Sequence, residues 1–435
     1  MQSENAGREG RKTGNGFRFN LFELGGALGD LGTLLPLAIA LITLNGMSTT
    51  SVFLVVGLSY VTAGLFYRLP MPVQPLKAVA AIAIAGGLSA SVVSASGLVM
   101  AVVLLLLSIT GTIGLVSRLF PRAVIRGIQL GLALFLVKAG LFLVARKQVI
   151  VGGNDSFFGL ANLNISAGWL LAAAFGIVFV LLLRSKKVPA SLAVLGLGIA
   201  AGMFWGSFPG LKTMQFGLSL PSASVPSLAN LTAALVLLVI PQVPLTLGNA
   251  VFATQDTAKT YFGTKAKRVT PRALITTMGL SNLAAGLLGG MPVCHGSGGL
   301  TAHYRLGART GAAGLMLGAL FVTLAVFVDG NALPILSLIP YSVLGVLVVF
   351  VGVQHGLLVR DLRGAPDIAV VSVIAIMAVI TGNLAIGFGS GMALHFLLKG
   401  MSKVGWLSRG RIVGAGQAGP GCHPHPPARQ SQELG

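Results

Sequence analysis

The sequence predicts an all-α polytopic membrane protein of about fourteen transmembrane segments, built as a seven-plus-seven inverted repeat with two broken half-helices. Three observations carry that expectation. The chain is 54% hydrophobic and only 9% charged, its mean hydropathy is +0.87, and its apolar runs approach the length of a bilayer span. Its Lys and Arg residues fall almost entirely on one side of those runs. Three short motifs also recur, in order, at an offset of 219 or 220 residues.

Composition narrows the function classes. A length of 435 residues alone would suggest two or three soluble domains, but so few charges cannot cover such surfaces. The 60 glycines show no collagen period and suit helices that pack closely in lipid. A net charge of +20 fits cytoplasmic loops better than a nucleic-acid surface, because no zinc-finger spacing or RNA-binding signature accompanies it. Cys294 and Cys422 stand too far apart, in unlike contexts, to indicate a disulfide framework. The first apolar run is long and lacks a cleavage site, so no cleaved signal peptide is expected.

Residues 1–18 read as a polar, basic, disordered tail. Apolar runs then predict spans near residues 19–44 and 51–66, the first carrying Glu23 and Asp30. Pro70, Pro72 and Pro75 forbid helix interior, so an extended segment should lead into a half-helix near residues 76–88. Further spans are expected near 98–116, 124–144, 167–183 and 189–205, with a polar insertion at 146–166. The second half predicts 231–254, 273–288, a half-span after Gly296, then 311–328, 335–353, 368–381 and 384–398. Residues 19–207 form the first repeat, 208–230 connect, 231–398 form the second repeat, and 399–435 are a cytoplasmic tail without a regulatory domain.

Charge placement supports the even number of crossings. With the N-terminus inside, 24 Lys and Arg fall in cytoplasmic segments and only Arg146, Lys147 and Lys212 outside, while Lys77, Arg126 and Lys138 lie within spans. That bias puts both termini in the cytoplasm and the chain in the cell membrane as a multi-pass protein.

The repeat gives the halves opposite orientations. Leu28-Gly29-Asp30 recurs as Leu247-Gly248-Asn249, Met71-Pro72-Val73 as Met291-Pro292-Val293, and Pro121 as Pro340. Seven crossings per half, an odd number, invert the second copy. In such transporters the paired discontinuous helices mark a site near the midplane. The segment Gly289 to Arg309 is the second of them: it combines six glycines, Cys294, His295, Ser297 and His303 between oily runs. Irregular backbone there is tolerated where it lines a cavity, and a helix start presents amides that favour anions.

The strings PVQPLKA from Pro72, MPVCHGSGGLTAHYRLGAR from Met291 and ELGGALGDLGTLLPLAIAL from Glu23 resemble the molybdate transporter family of plants and algae, a branch similar to the sulfate permeases. Leu76 stands where that family leads us to expect Met. The resemblance implies a core domain from spans 1–4 and 8–11, a gate domain from the rest, and uptake of molybdate held between the half-helices of spans 3 and 10. Sulfate or a broader range of oxyanions on the same scaffold, or an anion channel, are the alternatives. Expected partners are molybdate, with sulfate and tungstate as rivals, protons, the bilayer and a second copy of the chain in a homodimer. No cofactor, metal, enzymatic activity or nucleic acid is expected.

Molybdate at neutral pH is a tetrahedral dianion, which amides and hydroxyls can hold. The expected donors surround Gln74 on one half-helix and Gly296, Ser297 and Gly298 on the other. Thr246 and Asn249 on span 8, with Thr33 and Asp30 on span 1, occupy repeat-related positions and are expected to line the site. Lys77, placed one turn into its half-helix, is an intramembrane cation that either attracts the dianion or pairs with Asp30. Import of a dianion against about 100 mV opposes about 4.6 kcal/mol, so proton coupling is expected. Asp30, Glu23, Asp256 and His295 are the proton-carrier candidates, Asp30 first because it falls within a span. A metal site at Cys294, His295 and His303 is the rival reading; it lacks a fourth ligand and a zinc spacing. The Cys422 tail, CHPHP, reads as disordered.

Overall fold

The computed structural model describes residues 16–146, 157–160, 163–183, 190–205, 221, 226–327 and 338–403. Most of both predicted tails and of the connecting segment lie outside these residues, as do Lys147, Arg184, Lys186, Lys187, Lys212 and Cys422.

The helices are α1 Leu21–Asn45, α2 Thr49–Tyr67, α3 Lys77–Gly86, α4 Ala90–Thr110, α5 Arg122–Val144, α6 Ala167–Leu182 and α7 Ala190–Trp205. The second half supplies α8 Leu228–Arg268, α9 Pro271–Leu287, α10 Ser297–Arg305, α11 Ala312–Phe327, α12 Tyr341–Asp361, α13 Ala365–Thr381 and α14 Leu384–Lys403. Seven of these are long and apolar enough to cross a bilayer, and five more are apolar but only 10–17 residues long. Among the described residues the fold is helical apart from two small ladders that the sequence reading missed. One joins β1 Gln74–Pro75 to β4 Val293–Cys294, and the other joins β2 Phe157–Leu160 to β3 Leu163–Ser166 inside the predicted polar insertion.

Local chemistry sets the breaks. The Asn20 side chain accepts from the Glu23 amide at 2.9 Å and starts α1, and Gly46 at φ 71° ends it. Pro70, Pro72 and Pro75 exclude helix between α2 and α3, as expected. Gly87 at φ 61° closes α3. In the second half, Thr270 caps α9 with Pro271 at its first position. The predicted span ending near Thr254 instead continues to Arg268, because its last turns are polar and run on without apolar cover. Within α8, residues Ala234–Val239 and Thr246–Ala253 are wound as wide π-turns, flanking Pro241 and Pro244.

Packing follows the inverted repeat. The most extensive helix pairs are α2 with α11, α4 with α9, and α5 with α12. Under a two-fold that exchanges each span with the one seven later, the first two pairs interchange and the third maps onto itself. Small residues make the seams: a β-carbon on Gly64 would lie 2.7 Å from the Gly311 carbonyl oxygen, and one on Gly318 2.8 Å from that of Gly57. In the β1–β4 ladder the two strands run antiparallel, with Gln74 opposite Cys294. Those residues are also 220 apart in sequence, so the repeat's pseudo-two-fold passes between them. The ladder and the sequence repeat thus agree on the inversion. It differs from a fold of two parallel six-span halves.

Candidate functional site

Each broken helix is clamped at its break. The Asn282 side chain, on α9 and wholly buried, donates to the Val293 carbonyl and accepts from the Val293 amide, both at 2.9 Å. Beyond the ladder, the Leu76 amide donates to the Pro292 carbonyl at 3.0 Å. His295 bridges the two breaks: its Nδ1 lies 2.8 Å from the Pro72 carbonyl oxygen and its Nε2 3.0 Å from the Thr277 hydroxyl. Thr254 on α8 donates to the His295 carbonyl at 2.8 Å.

The two helix starts are not equivalent. At α3 the amides of Ala78 and Val79 donate to Gln242 Oε1 at 2.8 and 3.4 Å, so a side chain from α8 plugs this end. At α10 the preceding residue is Gly296, which offers no side-chain cap. The first-turn amides of Ser297, Gly298 and Gly299 are the ones a helix leaves without internal partners. The Ser297 hydroxyl donates to Asn249 Oδ1 at 2.9 Å. Lys77 is the first residue of α3 rather than one turn inside it, since the helix begins only after Pro75 and Leu76. Its ammonium reaches toward Gly296, and Asp30 is not within ion-pair distance.

These groups border a cavity of about 310 Å³. On one side lie Thr33 of α1, Gln74, Lys77, Asn249, Ser297 and Gly298. Facing them are Gln129 of α5, Ser191 of α7, and Gln354 and His355 of α12. Lys77 is the one lysine or arginine among the described residues of this lining. The cavity has room for an oxyanion with part of its hydration. Of the expected lining residues, Thr246 sits behind the wall: it is buried, accepts from Gln242 Nε2 at 3.0 Å and borders only a minor void. Gly296 is buried beneath Gln74 rather than in the lining.

A second polar cluster adjoins the cavity. Asp30 is 1% exposed; its Oδ2 accepts from the Tyr60 hydroxyl at 3.0 Å and its Oδ1 accepts from Gln74 Nε2. His303 Nε2 stands 3.9 Å from Asp30 Oδ2, and its Nδ1 is 2.9 Å from the Gly26 carbonyl oxygen. The other proton-carrier candidates lie apart. Glu23 accepts from the amides of Arg309 and Thr310 at 3.0 and 3.2 Å and ties α1 to the turn before α11. Asp256 is exposed on the polar end of α8. Cys294, His295 and His303 face separate partners, and no group of three metal-ligating side chains occurs among the described residues.

Sequence reasoning missed Gln242, Gln129, His355 and the pairing of His303 with Asp30. Each polar residue within an apolar run was a usable signal. Which of them meet was not readable, since the partners lie 164 residues apart for Gln242 and Ala78. A larger cavity of about 360 Å³, bordered by Arg68, Lys265, Lys267, Arg268 and Arg309, opens at the end of α2, away from the ladder.

An inverted pair of broken helices, one with an uncapped start beside an intramembrane lysine, facing a second helix group across a polar cavity, defines an anion transporter. The family profile described as "Molybdate transporter of MFS superfamily" matches residues 22–136 and 234–354, more than half of the chain and both repeats. The chain belongs to that molybdate transporter family. It is 28% identical over 411 residues to molybdate transporter 2 of Arabidopsis thaliana, covering 87% of each chain. Solved structures share the fold. The transmembrane domain of a cyanobacterium bicarbonate transporter, BicA, gives a TM-score of 0.57 at 18% identity, over 86% of this chain and 98% of that one. The murine Slc26a9 anion transporter in its inward-facing state gives 0.63 at 16% identity, over 89% and 70%.

Proposed function

We propose that this protein imports molybdate together with protons, by alternating movement of the helix group α1–α4 and α8–α11 against the group α5–α7 and α12–α14. The observation that carries the reading is the uncapped start of α10, with Ser297 and Gly298 bordering the same cavity as Lys77 and Gln74. Amides, a hydroxyl and one ammonium suit a tetrahedral dianion, and the second helix group closes the cavity's far wall. The cavity's position between the two groups supports alternating access, because sliding one past the other moves its opening from one face to the other. The family and the named plant relative support molybdate as the oxyanion.

Proton coupling follows from the energy of import, about 4.6 kcal/mol for a dianion against about 100 mV. Asp30 is the carrier: it is buried, it adjoins Gln74, and Glu23, Asp256 and His295 are engaged or placed elsewhere. The positive-inside bias supports cytoplasmic termini and cell-membrane insertion.

The test is uptake of labelled molybdate by proteoliposomes holding the full chain, with and without an inward proton gradient, challenged by sulfate and tungstate. Saturable uptake that a protonophore collapses, and that tungstate blocks better than sulfate, is the expected result. Equal inhibition by sulfate at equal concentration overturns the molybdate assignment. Normal uptake by Ser297→Ala and Gln74→Ala together overturns the site.

A further inference from the structure

We propose that Gln74 is a proton-operated switch. Its side-chain amide turns end for end when Asp30 takes up a proton, and only the turned amide donates to the transported oxyanion. This rests on the import reading above and supplies its coupling step.

The chemistry begins with what each group can offer. An ionised carboxylate only accepts hydrogen bonds, whereas a protonated one has an O–H to donate. As found, Gln74 Nε2 donates to Asp30 Oδ1, the arrangement an ionised Asp30 demands. That choice commits the other end of the amide. Gln74 Oε1 is buried, has no hydrogen-bond partner among the described residues, and lies against Gly296 at the start of α10. A buried carbonyl left without a donor is unusual in a native protein and calls for a reason. Its lone pairs also oppose an anion settling on the first turn of α10.

Protonation of Asp30 reverses both preferences. The new O–H needs an acceptor, and Gln74 Oε1 becomes that acceptor after a half-turn about the terminal torsion, which is soft and roughly two-fold. Nε2 then takes the Gly296 side, at the edge of the cavity that Gln74, Ser297 and Gly298 border, and donates to an oxyanion held on the first turn of α10. The amide keeps its shape, so the turn needs no rearrangement of the buried wall. The only bond made is the carboxyl O–H, and that proton leaves Asp30 for water when the anion is released on the other side.

The surroundings hold the switch in place. Tyr60 of α2 donates to Asp30 Oδ2 at 3.0 Å and fixes that oxygen, leaving Oδ1 for Gln74. His303 of α10 faces Oδ2 at 3.9 Å, and with Nδ1 donating to the Gly26 carbonyl its Nε2 is an open base when neutral. Among the described residues, Lys77 of α3 and Cys294 of β4 are the remaining titratable groups close enough to interact with Asp30. A dianion held at Lys77 and a carboxylate at Asp30 are like charges on the two sides of Gln74, so anion and proton each promote the other's binding, as linkage requires.

The deciding experiment is calorimetric titration of the purified full chain with molybdate between about pH 6 and 8.5, in two buffers of different ionisation heat, which counts protons taken up per anion. In the range where Asp30 is ionised, the unaltered protein should take up one proton per molybdate and gain about tenfold in affinity per pH unit lost. Asp30→Asn keeps a permanent donor for Gln74 Oε1, so its affinity should be independent of pH and its proton uptake nil. His303→Gln should retain the one-proton linkage. Gln74→Met should lose at least tenfold in affinity at low pH and little at high pH, which tests the switch even if Asp30→Asn does not fold. Proton uptake retained by Asp30→Asn, or an unchanged pH profile in Gln74→Met, overturns the switch while leaving molybdate import standing. Absence of molybdate binding by the unaltered protein overturns the import reading and the switch with it.

Discussion

Replacing Asn282 by Leu should unlock the second broken helix. Asn282 is wholly buried, and its Nδ2 donates to the Val293 and Met278 carbonyls at 2.9 and 2.8 Å while its Oδ1 accepts from the Val293 amide at 2.9 Å. Leu has the same branched shape, somewhat larger, and neither polar group, so all three hydrogen bonds are lost. The Met278 carbonyl is already within a helix, but both polar groups of Val293 lose their side-chain partner inside the protein. Each buried, unsatisfied group costs about 1–3 kcal/mol, giving a destabilisation of about 2–6 kcal/mol. At roughly 2 °C per kcal/mol for a large domain, the unfolding midpoint of the purified protein should fall by about 4–12 °C. Tryptophan or dye-based melting of the full chain in one detergent, at one scan rate, measures this. Asn282→Asp keeps an acceptor for the Val293 amide but sets a buried carboxyl oxygen against the Val293 and Met278 carbonyls, so its midpoint should fall at least as far. A midpoint for Asn282→Leu within about 1 °C of the unaltered protein would refute the clamp.

Three further outcomes follow from the same geometry. Lys77→Gln removes the one ammonium of the cavity lining, and losing a charge-assisted contact worth about 1.5 kcal/mol or more should weaken molybdate binding at least about tenfold by calorimetry. Gly64→Ala drives a methyl to 2.7 Å from the Gly311 carbonyl oxygen and should lower stability by about 1–3 kcal/mol, read as a melting shift of several degrees. Asp361→Asn breaks the ion pairs with Arg122 and Arg126, yet Asp361 is 31% exposed and Arg122 68%, so stability should change by less than about 1 kcal/mol.

Much of the fold was legible because membrane insertion writes itself into the sequence. The apolar runs, the prolines at 70, 72 and 75 and the recurrent Met-Pro-Val located the two breaks within a residue or two. The direction of the repeat followed from counting crossings, and the ladder opposing Gln74 to Cys294 bears it out. What hydropathy could not convey was the polar end of α8, since a helix that needs no apolar cover leaves no apolar trace. Nor could it convey who faces whom. Gln242 plugging α3 and His303 approaching Asp30 are contacts across 164 and 273 residues, set by tertiary packing rather than by local pattern. The equal treatment of the two helix starts was the main error of that kind: repeat symmetry suggests equivalence, and a single glutamine on α8 removes it.

The residue pair on the pseudo-two-fold has a consequence for ancestry. If the two halves descend from one duplicated segment, Gln74 and Cys294 descend from one position, and an unaltered duplicate would place identical side chains across the ladder. Such a molecule would present matching chemistry to both sides of the membrane and would have no preferred direction built into its centre. Here one copy carries an amide and the other a thiol whose Sγ lies 3.7 Å from the Pro75 carbonyl oxygen. The two copies have diverged at the position on the axis itself, so the centre of the ladder offers different chemistry toward the protein's two faces.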